Sequence, residues 1–230
     1  MSTQPISPPA LPFVVEPLGL LPYADAWARQ RELAAQRAVD LVGDTLLVVE
    51  HPHVYTLGSK GKRAHLLVTE AALQAQGIPV LDVDRGGDIT YHGPGQLVAY
   101  PILRLKDWNV KIVDYLRLLE AVLIEVCLGY GLVAQRIQGY TGVWIGDAKV
   151  AAIGAKLDGN GITRHGCALN VAPDLSYFQN IVPCGIRDKA VTSLSHEVAQ
   201  SITLDDASIR FVAAFTRVFM HARNIQPGIA

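Results

Sequence analysis

Apolar and polar positions divide the chain into helical and strand-like stretches punctuated by glycine. Over residues 22–41, alanine, glutamine, arginine, glutamate and leucine dominate, and Trp27, Ala34, Ala38 and Leu41 recur at helical spacing. Gly43-Asp44 ends that helix. β-Branched and aromatic residues cluster over 45–50 and 54–57 and predict strands. Thr69 suits the N-cap of a short helix that stops at Gly77. A glycine-punctuated β region follows, with strands over 79–84, 89–92 and 96–103. Turns at Arg85-Gly86-Gly87-Asp88 and Gly93-Pro94-Gly95 separate them. The clearest helix spans 110–128, where Val113, Leu116, Leu123 and Cys127 form an apolar stripe broken by Glu120. Strands over 142–145, 149–157 and 162–171, joined by tight turns, read as an antiparallel meander. A last helix covers 205–223, with Thr203 and Asp206 in capping-box spacing.

No internal repeat or low-complexity linker interrupts this order. It predicts one mixed α/β domain over 21–230, after a mobile Pro- and Ser-rich lead-in over 1–20. The 230 residues are 50% hydrophobic and 18% charged, the profile of a soluble globular protein. A net charge of −1 provides no global field for nucleic acid or an anionic membrane, so neither is expected as a partner. The apolar run 113–126 is interrupted by Asp114, Arg117, Glu120 and Glu125 and does not read as a membrane span. Residues 1–10 lack a basic region followed by an apolar run, so no secretory signal is expected. Cys127, Cys167 and Cys184 show no CxxC spacing, which argues against a disulfide framework or a Cys-rich zinc site. Reduced thiols and a cytoplasmic location are the expectation. His51-Pro52-His53 offers two imidazoles but no third ligand, so no metal is expected.

Three features could carry chemistry. Cys184 stands between Pro183 and Gly185, which together present a sulfur on a tight turn with space beside it. Taken alone, such a cysteine more often serves as a small buried hydrophobe. A nucleophilic thiol needs help, because its ordinary pKa is about 8.5. A lysine about 4 Å away, at an effective dielectric near 20, would stabilise the thiolate by roughly 4 kcal/mol before desolvation. Lys149 and Lys156 are unusual in a strand rich in valine, isoleucine and alanine. Their spacing puts them on opposite faces of a regular strand, and composition does not choose between them. The third feature is the run from Arg85 to Gln96, whose glycines and prolines would allow close backbone approach to a substrate. It contains no P-loop and no dinucleotide fingerprint. His92 and His165 each sit beside a glycine, a placement more often structural than catalytic.

These blocks, in this order, resemble the lipoyl(octanoyl) transferase family. The resemblance rests on Glu50-His51-Pro52 with Val54-Tyr55-Thr56-Leu57-Gly58, and on Arg85-Gly86-Gly87 with the run from Thr90 to Gln96. It continues through Gly142-Val143-Trp144, the block from Lys149 to Gly154, His165-Gly166, the block from Ala168 to Val171, and Pro183-Cys184-Gly185. It implies the fold of biotin and lipoate protein ligases, a mixed, largely antiparallel sheet flanked by helices. It also implies a catalytic pair, Cys184 and Lys149. The substrate contacts would come from Arg85, Gly86, Gly87, Asp88, Ile89, Thr90, Tyr91 and His92, from Ala152, Ile153 and Gly154, and from Gly166, Cys167 and Ala168. Cys167 stands where the family usually has a larger apolar residue, which bears on the shape of an acyl tunnel.

By the same resemblance the donor is octanoyl-acyl carrier protein. The acceptors are lipoyl domains of 2-oxoacid dehydrogenase complexes and the glycine cleavage H protein. No ATP, metal or redox cofactor is implied. The rival readings are an ATP-dependent lipoate-protein ligase on the same fold, which would not need Cys184, and an inactive carrier-binding scaffold.

Overall fold

A computed structural model describes residues 11–182 and 190–224. Its centre is an eight-stranded sheet. The first strands are β1 (Phe13–Leu20), β2 (Asp44–Glu50) and β6 (Gln96–Ile102). Next come β10 (Thr163–Asn170), β9 (Ala148–Leu157), β8 (Tyr140–Ile145) and β7 (Gln135–Ile137), in the order β1-β2-β6-β10-β9-β8-β7. A two-residue strand, β11 (Ala190–Val191), pairs parallel to β9. Apart from that pair and the parallel β1–β2 pair, the sheet is antiparallel. A smaller sheet, β4-β3-β5, combines β3 (Val54–Leu57), β4 (Val80–Asp82) and β5 (Ile89–His92).

Side-chain alternation assigns each face of the large sheet its own core. Leu46 and Val48 of β2, Leu97 and Ala99 of β6 and Leu169 of β10 pack under α3 (Ile112–Leu128) and α5 (Leu204–Asn224). Leu47, Val49, Val98, Tyr100 and Ala168 point the other way, into a cluster with α1 (Tyr23–Ala38). A third cluster joins the small sheet to α2 (Glu70–Ala75) through Tyr55, Leu73 and Tyr91. The expected caps form: Thr69 accepts from the Ala72 amide, and Thr203 accepts from the Asp206 amide at 3.2 Å.

Several expectations shift. Residues 13–20, assigned to the lead-in, form β1, an edge strand whose register breaks between Pro17 and Gly19. The stripe expected on α3 forms in part: Glu120, Leu123 and Cys127 are buried, Val113 is 64% exposed, and Tyr115, Leu119, Val122 and Val126 widen the buried face. Leu41, placed on the apolar face of α1, lies beyond the helix and is exposed.

Candidate functional site

Where the Arg85–Asp88 loop and β5 lie over the α1 side of the large sheet, they enclose a cavity of about 860 Å³. Its floor is built in rows from the pairing of β6, β10 and β9. Val98, Ala168 and Ala152 form one row; Tyr100, Gly166 and Gly154 form another two residues along. The first row is small and apolar, and the second replaces side chains with two glycines and one phenol. Both glycines are required by close approach. A Cβ on Gly166 would lie 2.2 Å from the Ala99 carbonyl oxygen, and one on Gly154 would lie 2.8 Å from that of Gly86. The Gly86 amide donates to the Ala155 carbonyl at 3.1 Å, which fastens the loop over β9.

Lys149 borders this cavity and is buried. A register shift explains how. Val143 pairs with Ala151 and Trp144 with Lys149, so β9 carries one extra residue there, a bulge. Val150 and Ala151 both enter the α3/α5 core, and alternation restarts, so Lys149 shares the cavity with Ala152 and Gly154. The expectation that Lys149 and Lys156 occupy opposite faces fails for this reason. Lys149 Nζ lies 4.7 Å from the centre of the Trp144 ring, a cation–π contact. Lys156 instead pairs with Asp84 at 2.7 Å. On its other edge Lys149 pairs with Val191, and the Thr192 amide donates to the Lys149 carbonyl at 3.0 Å.

A hydrogen-bond chain reaches this point from β5. His92 Nδ1 donates to Gln96 (2.7 Å), Gln96 to Asn170 (2.9 Å), and Asn170 to the Thr192 carbonyl (2.9 Å). It ties the β5 wall of the cavity to the start of the segment that flanks Lys149.

All but one of the expected substrate-contacting residues line the cavity. The exception is Tyr91, which turns into the third cluster. There its ring stacks on Tyr177 at 5.1 Å and its hydroxyl meets His53 Nδ1 at 2.7 Å. Arg85 lines the cavity but also buckles its own loop, donating to the Thr56 carbonyl and the Asp88 carbonyl, both at 2.7 Å. The Cys167 side chain belongs to the α3/α5 core. Burial pushes both its thiol and that of Cys127 up to about 12, which leaves neither thiol ionised at neutral pH. Cys184 lies outside the described residues. The chain on both sides of it is fixed at the cavity: the Val182 amide donates to the His65 carbonyl at 2.8 Å, and Val191 pairs with Lys149.

Lining residues that the sequence reading passed over include Tyr23, Tyr100, Lys60, Lys62 and His65, and His165, read there as structural, lines the cavity too. His165 holds a left-handed φ of +54°. Its Nε2 donates to Asp84 at 2.8 Å, Tyr23 Oη lies 3.2 Å from its Nδ1, and its amide donates to Gln30 at 2.7 Å. The His165-Gly166 pair was the available signal. His51 and His53 part company: His51 Nδ1 donates to the Leu21 carbonyl at 2.7 Å, and its Nε2 meets the Tyr100 hydroxyl at 2.8 Å. Among the described residues no cluster of three His, Cys, Asp or Glu could hold a metal ion.

Burial is the main reason that His51 and His165 are each brought down to about 4, and that His92 falls well below its ordinary value. In the unfolded chain these imidazoles protonate near pH ~6.5. Between about pH 6.5 and 4 the unfolded chain therefore binds more protons than the folded one, and stability falls as the solution is acidified. Each of the three contributes a slope on the order of 1 kcal/mol per pH unit. Burial works against the charge of Asp84, but hydrogen bonds from Lys156, His165 and Arg164 outweigh it and hold the carboxyl below its usual range. That contribution is present above the ordinary carboxylate pKa and is lost only at more acidic pH. Urea midpoints measured from about pH 7.5 to 5 check this, and a pH-independent midpoint would refute it.

This sheet-and-cavity arrangement defines the class of the biotin and lipoate protein ligase fold. A lipoate protein ligase from Thermoplasma acidophilum, solved as part of a lipoylation system with its E2 lipoyl domain, superposes with a TM-score of 0.68. It is 16% identical, and the match covers 92% of this chain and 85% of that one. The biotin protein ligase of Aquifex aeolicus, in complex with biotin and ATP, gives a TM-score of 0.54 at 13% identity, covering 93% and 73%. Residues 22–216 match the lipoyl protein ligase A/B catalytic domain family. The octanoyltransferase of Chloroflexus aurantiacus is 50% identical over 204 residues, 88% of this chain and 92% of that protein. The chain belongs to this family, among its octanoyltransferases, and is an acyltransferase.

Proposed function

We propose that the protein moves an octanoyl group from octanoyl-acyl carrier protein, through a thioester on Cys184, to lysine ε-amines of lipoyl domains. These are the domains of 2-oxoacid dehydrogenase complexes and the glycine cleavage H protein, and the setting is the cytoplasm. The observation that supports it most is the burial of a lysine beside an acyl-sized cavity, with the chain on both sides of Cys184 fastened there. The relatives' name and the lipoyl domain paired with the T. acidophilum ligase point the same way.

In the first step the Cys184 thiolate attacks the thioester carbonyl. The new C–S bond forms, the bond to the carrier's phosphopantetheine sulfur breaks, and that sulfur leaves as a thiol with a proton from Lys149. In the second step the acceptor amine attacks the octanoyl-enzyme. An amide forms, the Cys184 C–S bond breaks, and the amine's proton returns to Lys149. Backbone N–H groups around the glycine-rich loop would hold the oxyanion. The thioester arrives activated, so neither ATP nor a metal is required.

Mixing the protein with octanoyl-acyl carrier protein should add one octanoyl group, located on Cys184 by peptide mass spectrometry. A Cys184→Ala variant that still carried the adduct would overturn the assignment. Release of AMP from ATP and free octanoate would favour the ligase reading instead.

A further inference from the structure

The cavity mouth carries two cations that the chemistry above does not use. Lys60 and Lys62 line the cavity and are solvent-exposed, on the loop between β3 and the helical turn Arg63–His65. Among the described residues neither forms an ion pair. Their neighbours differ in this respect. Arg63 faces Glu70 and Asp82, His65 faces Asp88, and Lys156 and Arg164 share Asp84. Among the described residues, then, these neighbouring cations are paired and Lys60 and Lys62 are not.

Nor is the loop a loose one. The Ser59 amide donates to the Arg85 carbonyl at 2.9 Å and the Lys60 amide to the Gly87 carbonyl at 3.0 Å. The Gly61 amide closes a turn on Gly58 at 2.8 Å, and the Lys62 amide donates to Asp88 Oδ1 at 3.2 Å. Gly58 has no room for a side chain, since a Cβ would sit 2.5 Å from the Gly87 carbonyl oxygen. Two lysine backbones are thus clipped to the loop that roofs the cavity, and both residues line it while remaining exposed to solvent. Ordered backbone lowers the entropic cost of gathering both cations around one anion. In a chain of net charge −1 this is a local feature, not part of a general basic surface.

An acyl thioester delivered on a phosphopantetheine arm brings a phosphodiester along the same path as the acyl group. An acceptor lysine brings none. We infer that Lys60 and Lys62 form an anion-reading rim that receives the phosphate of the donor's arm and so selects carrier-bound thioesters. This rests on the proposed function and adds to it how donor and acceptor are told apart at one entrance.

The test compares two donors with the same acyl group: octanoyl-acyl carrier protein, and octanoyl-N-acetylcysteamine, which lacks phosphate. In the Lys60→Glu/Lys62→Glu variant, kcat/KM for the carrier should fall at least tenfold relative to kcat/KM for the phosphate-free donor. The change should appear mainly in KM, and the carrier reaction should lose much of its salt dependence. Lys60→Gln/Lys62→Gln should shift the ratio in the same direction by less, which guards against a folding defect in the charge reversal. Lys106→Glu, an exposed charge outside the cavity lining, should leave the ratio unmoved. An unchanged ratio in both double variants, or an equal loss with both donors, overturns the rim while leaving the acyl transfer intact. Failure of the unsubstituted protein to use either donor overturns the functional reading beneath it. Octanoate activation with ATP would reassign the lysines to a nucleotide's phosphates and also overturn the proposal.

Discussion

Lys149→Ala is expected to lower octanoyl transfer by about 10²- to 10⁴-fold, the usual range for removal of a positioned acid–base group. Two effects contribute, and a second variant separates them. As a cation, Lys149 would favour the Cys184 thiolate, so its loss should raise the midpoint of the Cys184 alkylation-rate curve by about 1–3 pH units. As the proposed proton carrier, it would also give a proton in the first half-reaction and take one back in the second. Lys149→Arg keeps the charge but not the proton exchange, because a guanidinium stays protonated in proteins. The arginine variant should therefore alkylate much like the unsubstituted protein and still transfer poorly. Near-normal transfer by Lys149→Ala, or an alkylation curve that does not move, would remove Lys149 from the mechanism. The cation–π contact with Trp144, at 4.7 Å, helps to explain how a lysine is tolerated with only 9% of its surface exposed.

How far the sequence reveals such a site depends on the kind of information each residue carries. Strands β3 and β5 are legible to the residue, because short β-branched and aromatic runs there end at glycine or proline. Strand β1 is not. Pro17 and Gly19 break its pattern, yet an edge strand tolerates both. On α3 the polar member of the stripe, Glu120, is 1% exposed because it is paired with Arg117 at 2.7 Å and Arg136 at 2.8 Å. Arg136 lies on another strand, so nothing local announces the pair. The bulge that turns Lys149 into the cavity is likewise a relation between β8 and β9, absent from the spacing within either one.

The same distinction separates the motif residues from the ones that support them. Gly154 and Gly166 are visible as glycines, but the carbonyl oxygens that forbid a side chain, those of Gly86 and Ala99, come from segments far along the chain. His165 looks like one more histidine beside a glycine until Asp84, Tyr23 and Gln30 are seen to hold it in a left-handed conformation. Tyr91 sits between Thr90 and His92 in the same strand and faces the opposite way, as strand alternation requires. A motif names which residues gather; the pleat decides which of them touch the cavity.

Asp44 illustrates the cost of such a misreading, and replacing it should give the largest loss of stability. Beside Gly43 it looks like a turn residue, but it begins β2 and is only 5% exposed. Its carboxylate accepts from Arg37 Nε at 2.7 Å, from the Arg104 amide at 3.0 Å and from the indole N–H of Trp108. One side chain thereby joins α1, the end of β6 and the turn Leu105–Trp108. Asp44→Ala leaves those donors buried without that acceptor and removes a counter-charge from Arg37, which among the described residues keeps Asp40 and Asp107. A loss of about 3–5 kcal/mol is expected, as for breaking a buried ion pair from one side. For a domain of this size that lowers Tm by roughly 6–20 °C. Much of the cost should come from orphaned donors, so Trp108→Phe made in the Asp44→Ala background should cost less than the same change in the unsubstituted protein. A Tm within a degree or two of the original for Asp44→Ala, or strictly additive double-variant energies, would show that this carboxylate does not hold the three elements together.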